Sequence, residues 1–309
     1  MQYIIDALTG IKVGESIAFR NLSVFPLFSS VKNPADYITL DEALERKLSV
    51  ITEISEGGSV PELKFVNSGS VGVFLLDGEE LVGAKQNRII NISIVVPAIT
   101  TLVIPVSCVE AGRWSHRSRQ FSSAPRAHYA DGRARKMAQV SASLRATGQR
   151  RSDQSEVWSN IREKSENFRV TSATSAMSDI YEQESPRLET YVGAFPVLEG
   201  QSGALFAVDG RVVGLDLFDS PETFRKLFPK LLRSYGLDAL ESAGREKPAK
   251  ETRISAAIAD AFLKRISSAK VEEFPALGEG TDLRLSGRNM TGAALAADGH
   301  IIHLSAFNT

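Results

Sequence analysis

Residues 83–114 read GAKQNRIINISIVVPAITTLVIPVSCVEAGRW, and this stretch sets the expected fold. Two apolar runs lie between two groups of polar or reactive side chains. The first group is Lys85, Gln86, Asn87 and Arg88, and the second is Cys108, Glu110, Arg113 and Trp114. Apolar β-type runs that are joined by a short turn predict a hairpin, whose two ends meet. We therefore expect the two polar groups to lie side by side.

Three Asp-Gly dipeptides, each between apolar runs, predict further hairpins. The segments that contain them are SVGVFLLDGEELVGA from Ser70, SGALFAVDGRVVGLDLF from Ser202 and TGAALAADGHIIHLSAF from Thr291. Asp-Gly suits a two-residue type I′ turn, in which both central residues have a positive φ. The second and third segments align without a gap over seventeen residues. Such a match fits either an internal duplication or two unrelated hairpins with common turn chemistry.

If the three hairpins are structurally equivalent, their aligned residues should occupy equivalent positions in the sheet. In the alignment Gly83, Gly214 and His303 correspond, and so do Lys85, Asp216 and Ser305. We expect these positions to converge at one end of a common sheet. This expectation adds Asp216 and His303 to the candidate site.

Helices are expected between and after the sheet-forming parts. Polar, helix-compatible stretches at 127–146, 152–166 and 173–184, the last ending before Pro186, predict a basic helical insertion or arm at residues 112–188. Thr39 and Glu42 have the spacing of a capping box ahead of a helix. Ser220-Pro221 is typical of a helix start.

The order of these elements indicates the fold class. Short strands in a meander and in hairpins favour antiparallel sheets with a sandwich-like or barrel-like arrangement. The helical insertion and the C-terminal helices are expected to pack on these sheets. We therefore predict a single α+β domain over residues 1–309.

The net charge of -1 conceals a basic window at residues 112–151, in which ten Lys or Arg residues face the single acid Asp131. The ten are Arg113, Arg117, Arg119, Arg126, Arg133, Arg135, Lys136, Arg145, Arg150 and Arg151. Such a window could bind phosphate backbones, although few aromatic residues interleave it for stacking. A solvated helical face, or pairing with the acidic surface of a second subunit, is slightly favoured over nucleic acid.

Location and cofactors are constrained mainly by missing motifs. The sequence shows no signal peptide and no apolar run of about 20 residues that would span a membrane, so a cytoplasmic protein is expected. One cysteine cannot form an internal disulfide. The four histidines lack metal-binding spacing, and the glycine-rich motifs of nucleotide cofactor sites are missing. We expect neither a metal nor a cofactor.

Cys108 and Glu110 are the candidate catalytic residues at the end of the hairpin. Strand alternation places both on one face. A cation near Cys108 would favour its thiolate and make it a nucleophile, but a small buried hydrophobe is the more common role of a free cysteine. An unpaired Glu110 would be costly on a core face. A cationic partner such as Arg113, Arg88 or Lys85 is therefore expected.

The ligand-binding candidates are weighed against structural roles in the same way. Residues Lys85 to Arg88 could hold an anionic or amide-rich ligand, or form a solvated turn. Trp114 beside Arg113 could stack on a planar base, although core packing is the more common role of a tryptophan. His303 is a candidate base, but a histidine within an apolar alternation is more often a hydrogen-bonded core residue.

Several motifs together resemble a known family. They are LDEAL at Leu40–Leu44, DGEELVGAKQNR at Asp77–Arg88, PVSCVEAGRW at Pro105–Trp114, VVGLDLF at Val212–Phe218 and IIHLSAF at Ile301–Phe307. In this order they resemble the ARG and rhodanese-phosphatase-associated protein domain family over nearly the whole chain. The family's name reflects neighbourhoods with ADP-ribosylglycohydrolase-type and phosphatase-type proteins. The resemblance thus implies a role near NAD or ADP-ribose metabolism and assigns no catalytic residue.

Three functional hypotheses remain open. The leading one is a pocket for a phosphorylated, nucleotide-like ligand such as an ADP-ribose or NAD derivative. If the protein is an enzyme, a hydrolase or transferase, Glu110 would be the base or Cys108 the nucleophile, and Arg88 and Arg113 would hold anionic oxygens. The alternatives are a non-catalytic protein whose basic arm binds an acidic partner or nucleic acid, and a structural homo-oligomer.

Overall fold

The computed structural model describes residues 2–29, 31, 34–55, 57, 59–244 and 254–309. The chain is α+β, as the sequence predicts, and it divides into two compact units. The first unit comprises Met1–Ala35, Arg187–Ala276 and Gly280–Thr309, and the second comprises Asp36–Pro186 and Leu277–Glu279. The single domain over residues 1–309 stays a prediction.

The helices and strands are named here in chain order. The helices are α1 (Gln2–Thr9), α2 (Leu40–Glu45), α3 (Ala130–Thr147), α4 (Gln154–Phe168), α5 (Met177–Ala194), α6 (Pro221–Ala243) and α7 (Ala256–Ser267). The strands are β1 (Lys12–Val13), β2 (Ile17–Phe19), β3 (Leu22–Phe28), β4 (Tyr37–Thr39), β5 (Ser49–Glu53), β6 (Glu62–Asn67), β7 (Gly72–Leu75), β8 (Glu79–Gly83), β9 (Arg88–Ile90), β10 (Ile94–Val96), β11 (Thr100–Cys108), β12 (Phe121–Ala127), β13 (Gly203–Val208), β14 (Arg211–Phe218), β15 (Lys270–Pro275), β16 (Thr281–Gly287), β17 (Met290–Ala297) and β18 (His300–Asn308).

The first unit is built on a nine-stranded sheet with the order β1-β3-β13-β14-β18-β17-β16-β15, in which β2 also pairs with β3. One face of this sheet buries apolar side chains such as Leu215 and Leu304 against Ile4 of α1 and Phe262 of α7. The other face packs on α6, where the ring of Tyr235 stacks on Phe206 with 3.8 Å between centroids. Helices therefore cover both faces of the sheet.

The second and third Asp-Gly segments form the predicted hairpins, β13–β14 and β17–β18. Both turns have a positive φ at Asp and Gly, with 49° and 79° at Asp209-Gly210 and 51° and 84° at Asp298-Gly299. Both hairpins shift register at the same point of the alignment, after Phe206 and after Leu295. They lie side by side through β14–β18. The two hairpins are therefore equivalent in turn, bulge and position.

The first Asp-Gly segment does not form a hairpin, so that prediction is wrong. Strand β7 pairs with β10 and, in parallel, with β4, whereas β8 pairs with β9 and β12. Gly78 has a φ of 84°, but Asp77 is not among the residues with a positive φ, so the turn is not type I′. A turn of a different type leads β8 into another sheet.

The second unit holds two sheets around one apolar core. Their strand orders are β10-β7-β4 and β12-β8-β9-β11-β6-β5. Both sheets contribute to a buried cluster that includes Val73, Ile94, Phe65 and Val106, and α3 adds Val140. The first of the two apolar runs in residues 83–114 is split into β9 and β10, and each half lies in a different sheet. The predicted capping box of Thr39 and Glu42 is present at the start of α2.

Helix α5 continues through Pro186 to Ala194, so the predicted end before that proline is wrong. Proline removes one helical hydrogen bond, but packing on either side can outweigh this loss. Leu188 and Tyr191, which follow the proline, are buried, and Leu188 lies close to Gly236 of α6. Burial of these side chains after Pro186 offsets the lost bond. The predicted insertion at 112–188 contains α3, α4 and the start of α5, together with β12.

Candidate functional site

The loop between β8 and β9 is held in an unusual backbone conformation. Gly83 has a φ of 133° and Ala84 a φ of 37°. A Cβ on Gly83 would lie 2.6 Å from the Ser118 Oγ, so only glycine fits there. The Ala84 N–H donates to that same Oγ over 3.0 Å, and its carbonyl accepts from the Arg113 Nη1 over 2.7 Å and from the Arg117 N–H over 2.9 Å. Residues 113–118 thus clamp the loop.

The segment after β11 is fixed by a short piece of chain that precedes α5. Gly112 N–H donates to the Thr174 carbonyl over 2.7 Å, and Met177 N–H donates to the Val109 carbonyl over 2.9 Å. A Cβ on Gly112 would lie 2.9 Å from the Thr174 Cα, which explains the glycine at this close approach. These contacts place the Thr174 side chain beside Glu110.

Glu110 is a fully buried carboxylate whose oxygens are occupied. Its Oε2 accepts from the Arg113 Nη2 over 2.6 Å and from the Asn87 N–H over 3.0 Å, and its Oε1 accepts from the Thr174 hydroxyl over 2.9 Å. Burial alone would raise the pKa of Glu110, but these hydrogen bonds together hold it below its usual value. The expected cationic partner is therefore Arg113. Glu110 is an ionised anchor for the loop, and its lowered pKa and occupied oxygens make it a weak general base.

Arg113 ties the two predicted polar groups together. Besides Glu110, its guanidinium donates to the carbonyls of Ala84, Ser115 and Gly83 and to the Asn87 Oδ1. The side chain is buried. These acceptors occupy Nη1 and Nη2, and the buried Nε has no hydrogen-bond partner among the described residues. Arg113 thus has no free pair of donors for a ligand. Its role is to position the loop.

Cys108 lies beside Gln86, as the predicted hairpin geometry requires. Its Sγ is 3.2 Å from the Gln86 Oε1, and the Gln86 Nε2 donates to the Glu110 carbonyl over 2.9 Å. Burial raises the pKa of the Cys108 thiol, although Arg88 and nearby hydrogen bonds act in the opposite direction. A protonated, fully buried thiol is a weak nucleophile.

Helix α4 reaches the same place through two residues that the sequence did not indicate. The Gln154 Oε1 accepts from the Cys108 N–H, and its Nε2 donates to the Cys108 carbonyl, each over 2.8 Å. This side chain extends the ladder of β11 as a neighbouring strand would. One turn later the Trp158 side chain hydrogen-bonds to Cys108, which acts to lower the pKa of the thiol. The helix thereby adds a donor beside the thiol.

Arg88 is the feature of this cluster that packing does not explain. The residue is fully buried and faces Cys108 across β9–β11. Its Nη1 donates to the Gln86 Oε1 over 2.9 Å, but its Nε and Nη2 have no hydrogen-bond partner. These two nitrogens form one edge of the guanidinium, and that edge matches the paired oxygens of a carboxylate or phosphate. An unsatisfied buried donor costs about 1–3 kcal/mol, which an oxyanion on this edge would offset.

Two further side chains extend the cluster towards solvent. Trp114 is 49 % exposed, so the core packing considered for it does not describe this residue. The Lys85 Nζ lies 5.2 Å and the Arg88 Cζ 5.8 Å from the centroid of its ring. The Lys85 Nζ also donates to the Gly57 carbonyl over 2.7 Å. A half-exposed indole with two cations beside its ring is suited to stack on a planar ligand.

Glu53, at the end of β5, was not singled out from the sequence. Both of its carboxylate oxygens are buried and accept no hydrogen bond from the described residues. Its charge acts on Arg88 and opposes the lowering of the Arg88 pKa that burial causes. A periodic sequence pattern could not identify Glu53 as a site residue, because the lack of hydrogen-bond donors to its oxygens is visible only in the folded chain.

Asp216 and His303 lie in the first unit, whereas the other predicted site residues lie in the second. The His303 Nε2 is 3.2 Å from the Asp216 Oδ1, and the Tyr235 hydroxyl donates to the Asp216 Oδ2 over 2.9 Å. Phe218 stacks on the His303 ring. All of these side chains are buried. They form a hydrogen-bonded network within the core of their unit.

The expected convergence on one common sheet is therefore wrong for Lys85. Asp216 and Ser305 do face each other across β14–β18 in the nine-stranded sheet. Lys85 instead follows β8 of the six-stranded sheet. The physical reason is the pairing of β7, which separates the first Asp-Gly segment from the other two.

The basic window is partly internal. Arg113, Arg133 and Lys136 are buried. The Lys136 Nζ lies 2.6 Å from the Asp77 Oδ1 and donates to the Ile90 carbonyl over 2.9 Å, so it anchors α3 on the sheet. Helix α3 is thus not simply a solvated basic face, and the basic surface available to a nucleic acid is smaller than the sequence indicates.

No group of three or more His, Cys, Asp or Glu side chains in the described part of the chain could hold a metal ion. None of the described helices is long and apolar enough to cross a membrane.

Fold and site together define an α+β protein of two compact units, one of which buries a polar cluster with an unsatisfied guanidinium edge. The chain belongs to the family of the ARG and Rhodanese-Phosphatase-superfamily-associated Protein domain, whose family model matches residues 10–307. The resemblance seen in the sequence motifs is thereby confirmed. Comparisons with curated proteins and with solved structures give no match.

Proposed function

We propose that the second unit binds a phosphorylated, nucleotide-like ligand, of which an ADP-ribose or NAD derivative is the leading candidate. The observation that carries this proposal is the free Nε–Nη2 edge of Arg88. Arginine presents this edge to paired oxygens, and a phosphate group supplies them. ADP-ribose is chosen as the probe because of the neighbourhoods that give the family its name.

The surroundings of Arg88 support a ligand with both a phosphate and a planar ring. Trp114 is half-exposed and lies beside the buried guanidinium, and Lys85 adds a second cation at the same ring. A nucleotide has a base that stacks and phosphates that pair with cations. The proposed roles are therefore oxyanion binding for Arg88, stacking for Trp114 and charge for Lys85.

Glu110, Arg113 and Asn87 act as the support of this site. Their mutual hydrogen bonds fix the loop that carries Lys85 and Gln86. A preorganised loop lowers the cost of ordering these groups when a ligand binds. In this proposal Glu110 is a positioning residue and not a base, and a hydrolase or transferase reaction would need a group from elsewhere.

Isothermal titration calorimetry with ADP-ribose tests the proposal. Arg88→Lys keeps the charge but removes the paired donors, so it should weaken binding at least about 10-fold. Arg119→Lys, at an exposed position of the same basic window, is the matched control and should bind like the natural protein. No heat change at high ligand concentration, or an affinity unaffected by Arg88→Lys, would contradict the proposal.

The same variants separate this proposal from the alternative, in which the basic arm binds an acidic partner or nucleic acid. Binding to DNA or RNA through exposed arginines should weaken steeply with salt. It should also be insensitive to Arg88→Lys, because Arg88 is buried. Salt-sensitive nucleic-acid binding without ADP-ribose binding would favour the alternative.

A further inference from the structure

Strand pairing places Glu53 on the same sheet face as Arg88. Glu53 faces Leu63 across β5–β6, and Leu63 faces Ile104 across β6–β11. Residues four apart on a strand point to the same side, so Ile104 and Cys108 share this face. Cys108 in turn faces Arg88 across β9–β11. An acid and a base thus lie on one face of a single sheet.

These two charged groups have complementary needs that the described residues do not meet. Glu53 offers two buried carboxylate oxygens without donors, and Arg88 offers two buried nitrogens without acceptors. The Glu53 charge attracts Arg88, but these atoms of the two groups have no hydrogen-bond partner among the described residues. Buried polar groups in folded proteins are almost always satisfied, so a ligand with both acceptors and donors is indicated.

We propose that Glu53 is the specificity-determining residue of the site and accepts hydrogen bonds from two neighbouring hydroxyl groups on the sugar of the ligand. This inference rests on the proposed function, in which Arg88 holds the phosphate oxygens of the same ligand. An ionised carboxylate is acceptor-only, so it pairs with hydroxyl groups and rejects phosphate. A carboxylate that binds ribose hydroxyls is a known solution in nucleotide sites. The ligand class is therefore a phosphorylated sugar with adjacent hydroxyls, and not its deoxy counterpart.

The test compares ribose 5-phosphate with 2-deoxyribose 5-phosphate, and ADP-ribose with its 2′-deoxy analogues, by calorimetry. The natural protein should prefer the ribose form at least about 10-fold, which corresponds to one lost hydrogen bond to a charged group. Glu53→Gln should bring this preference close to one. Glu62→Gln, at a partly exposed carboxylate on the neighbouring strand that lies 3.8 Å from Arg151, should keep it. Thermal unfolding of each variant checks that it is folded.

The preference ratio separates recognition from structural damage, because damage would weaken both sugars equally. Equal binding of ribose and deoxyribose ligands by the natural protein would overturn the role of Glu53. So would an unchanged preference in Glu53→Gln. In either case, binding that still depends on Arg88 would leave the proposed function in place. If none of the probes binds, both proposals fail together.

Discussion

The Arg113 Nη2 lies 2.6 Å from the Glu110 Oε2, and both side chains are almost completely buried. Arg225 and Glu222 form an ion pair with the same 2.6 Å distance and the same three-residue spacing, but both are more than half exposed. Arg225 donates to Glu222 through both Nε and Nη2, whereas Arg113 donates to Glu110 through Nη2 alone and also to loop carbonyls. The two pairs thus set a buried arginine with many acceptors against a solvated one within one chain.

Removing the arginine from each pair should give very different losses of stability. Arg113→Met leaves Glu110 as a buried charge with one partner fewer, and should lower the free energy of unfolding by about 3–5 kcal/mol. Arg225→Met breaks a solvated pair and should cost less than about 1 kcal/mol. Urea denaturation of the two variants measures both values. Equal losses would show that Arg113 is not the anchor of the loop.

Arg88 should respond in the opposite way to Arg113. Its guanidinium makes one hydrogen bond, to Gln86, and leaves two buried donors unsatisfied. Arg88→Met replaces it with an apolar side chain of similar length, which removes that desolvation cost. We expect an unfolding free energy equal to or higher than that of the natural protein, together with loss of oxyanion binding. A fall comparable to that of Arg113→Met would indicate a structural role for Arg88 instead.

The contrast between Arg88 and Arg113 also shows which features of the site the sequence patterns could not predict. Alternation and hairpin geometry correctly predicted that Lys85–Arg88 lie beside Cys108 and Glu110. The cost of burying an isolated carboxylate correctly predicted a cation beside Glu110. The same patterns could not rank two arginines that both lie near Glu110. Which one has both terminal nitrogens satisfied depends on carbonyl groups supplied by loop backbones, and these follow from the folded chain rather than from periodicity.

Local turn chemistry likewise predicted some features of the fold and not others. The dipeptides Asp209-Gly210 and Asp298-Gly299 form the expected turns, whereas Asp77-Gly78 does not, because strand partners are chosen over long distances in the sequence. Gln154 and Glu53 were missed for the same reason. The Gln154 side chain contacts Cys108 across 46 residues, and neither residue stands in a motif that predicts such a contact.

Cys108 should be chemically protected in the folded protein. Burial raises the pKa of its thiol, so the native state favours the protonated form. The unfolded thiol ionises near pH 8.5, and the free energy of unfolding should therefore fall as the pH rises above that value. As Cys108 is the only cysteine, iodoacetamide alkylation at pH 8 reports on it alone. We expect a rate on the order of 100-fold or more below that in urea. Similar rates in both states would instead support a reactive thiolate.

His128 should make the protein sensitive to mild acid. Burial first, and then the charges of Lys136, Lys164 and Arg133, hold the pKa of His128 well below its ordinary value. The unfolded chain therefore binds a proton near pH 6.5 that the native state does not. Because the native pKa is depressed, stability is complete above this pH and falls as the pH decreases towards the native pKa, by up to about 1.4 kcal/mol per pH unit.

The variant His128→Gln tests this prediction by removing the titrating group while keeping hydrogen-bonding capacity. Urea denaturation between pH 7.5 and pH 5 should give a smaller decrease in the free energy of unfolding than for the natural protein. His116→Gln is the matched control, because His116 is exposed and its removal should leave the pH dependence unchanged. Identical slopes for the natural protein and His128→Gln would mean that His128 is protonated in the fold, and the surrounding cations would then require another anion to stabilise them.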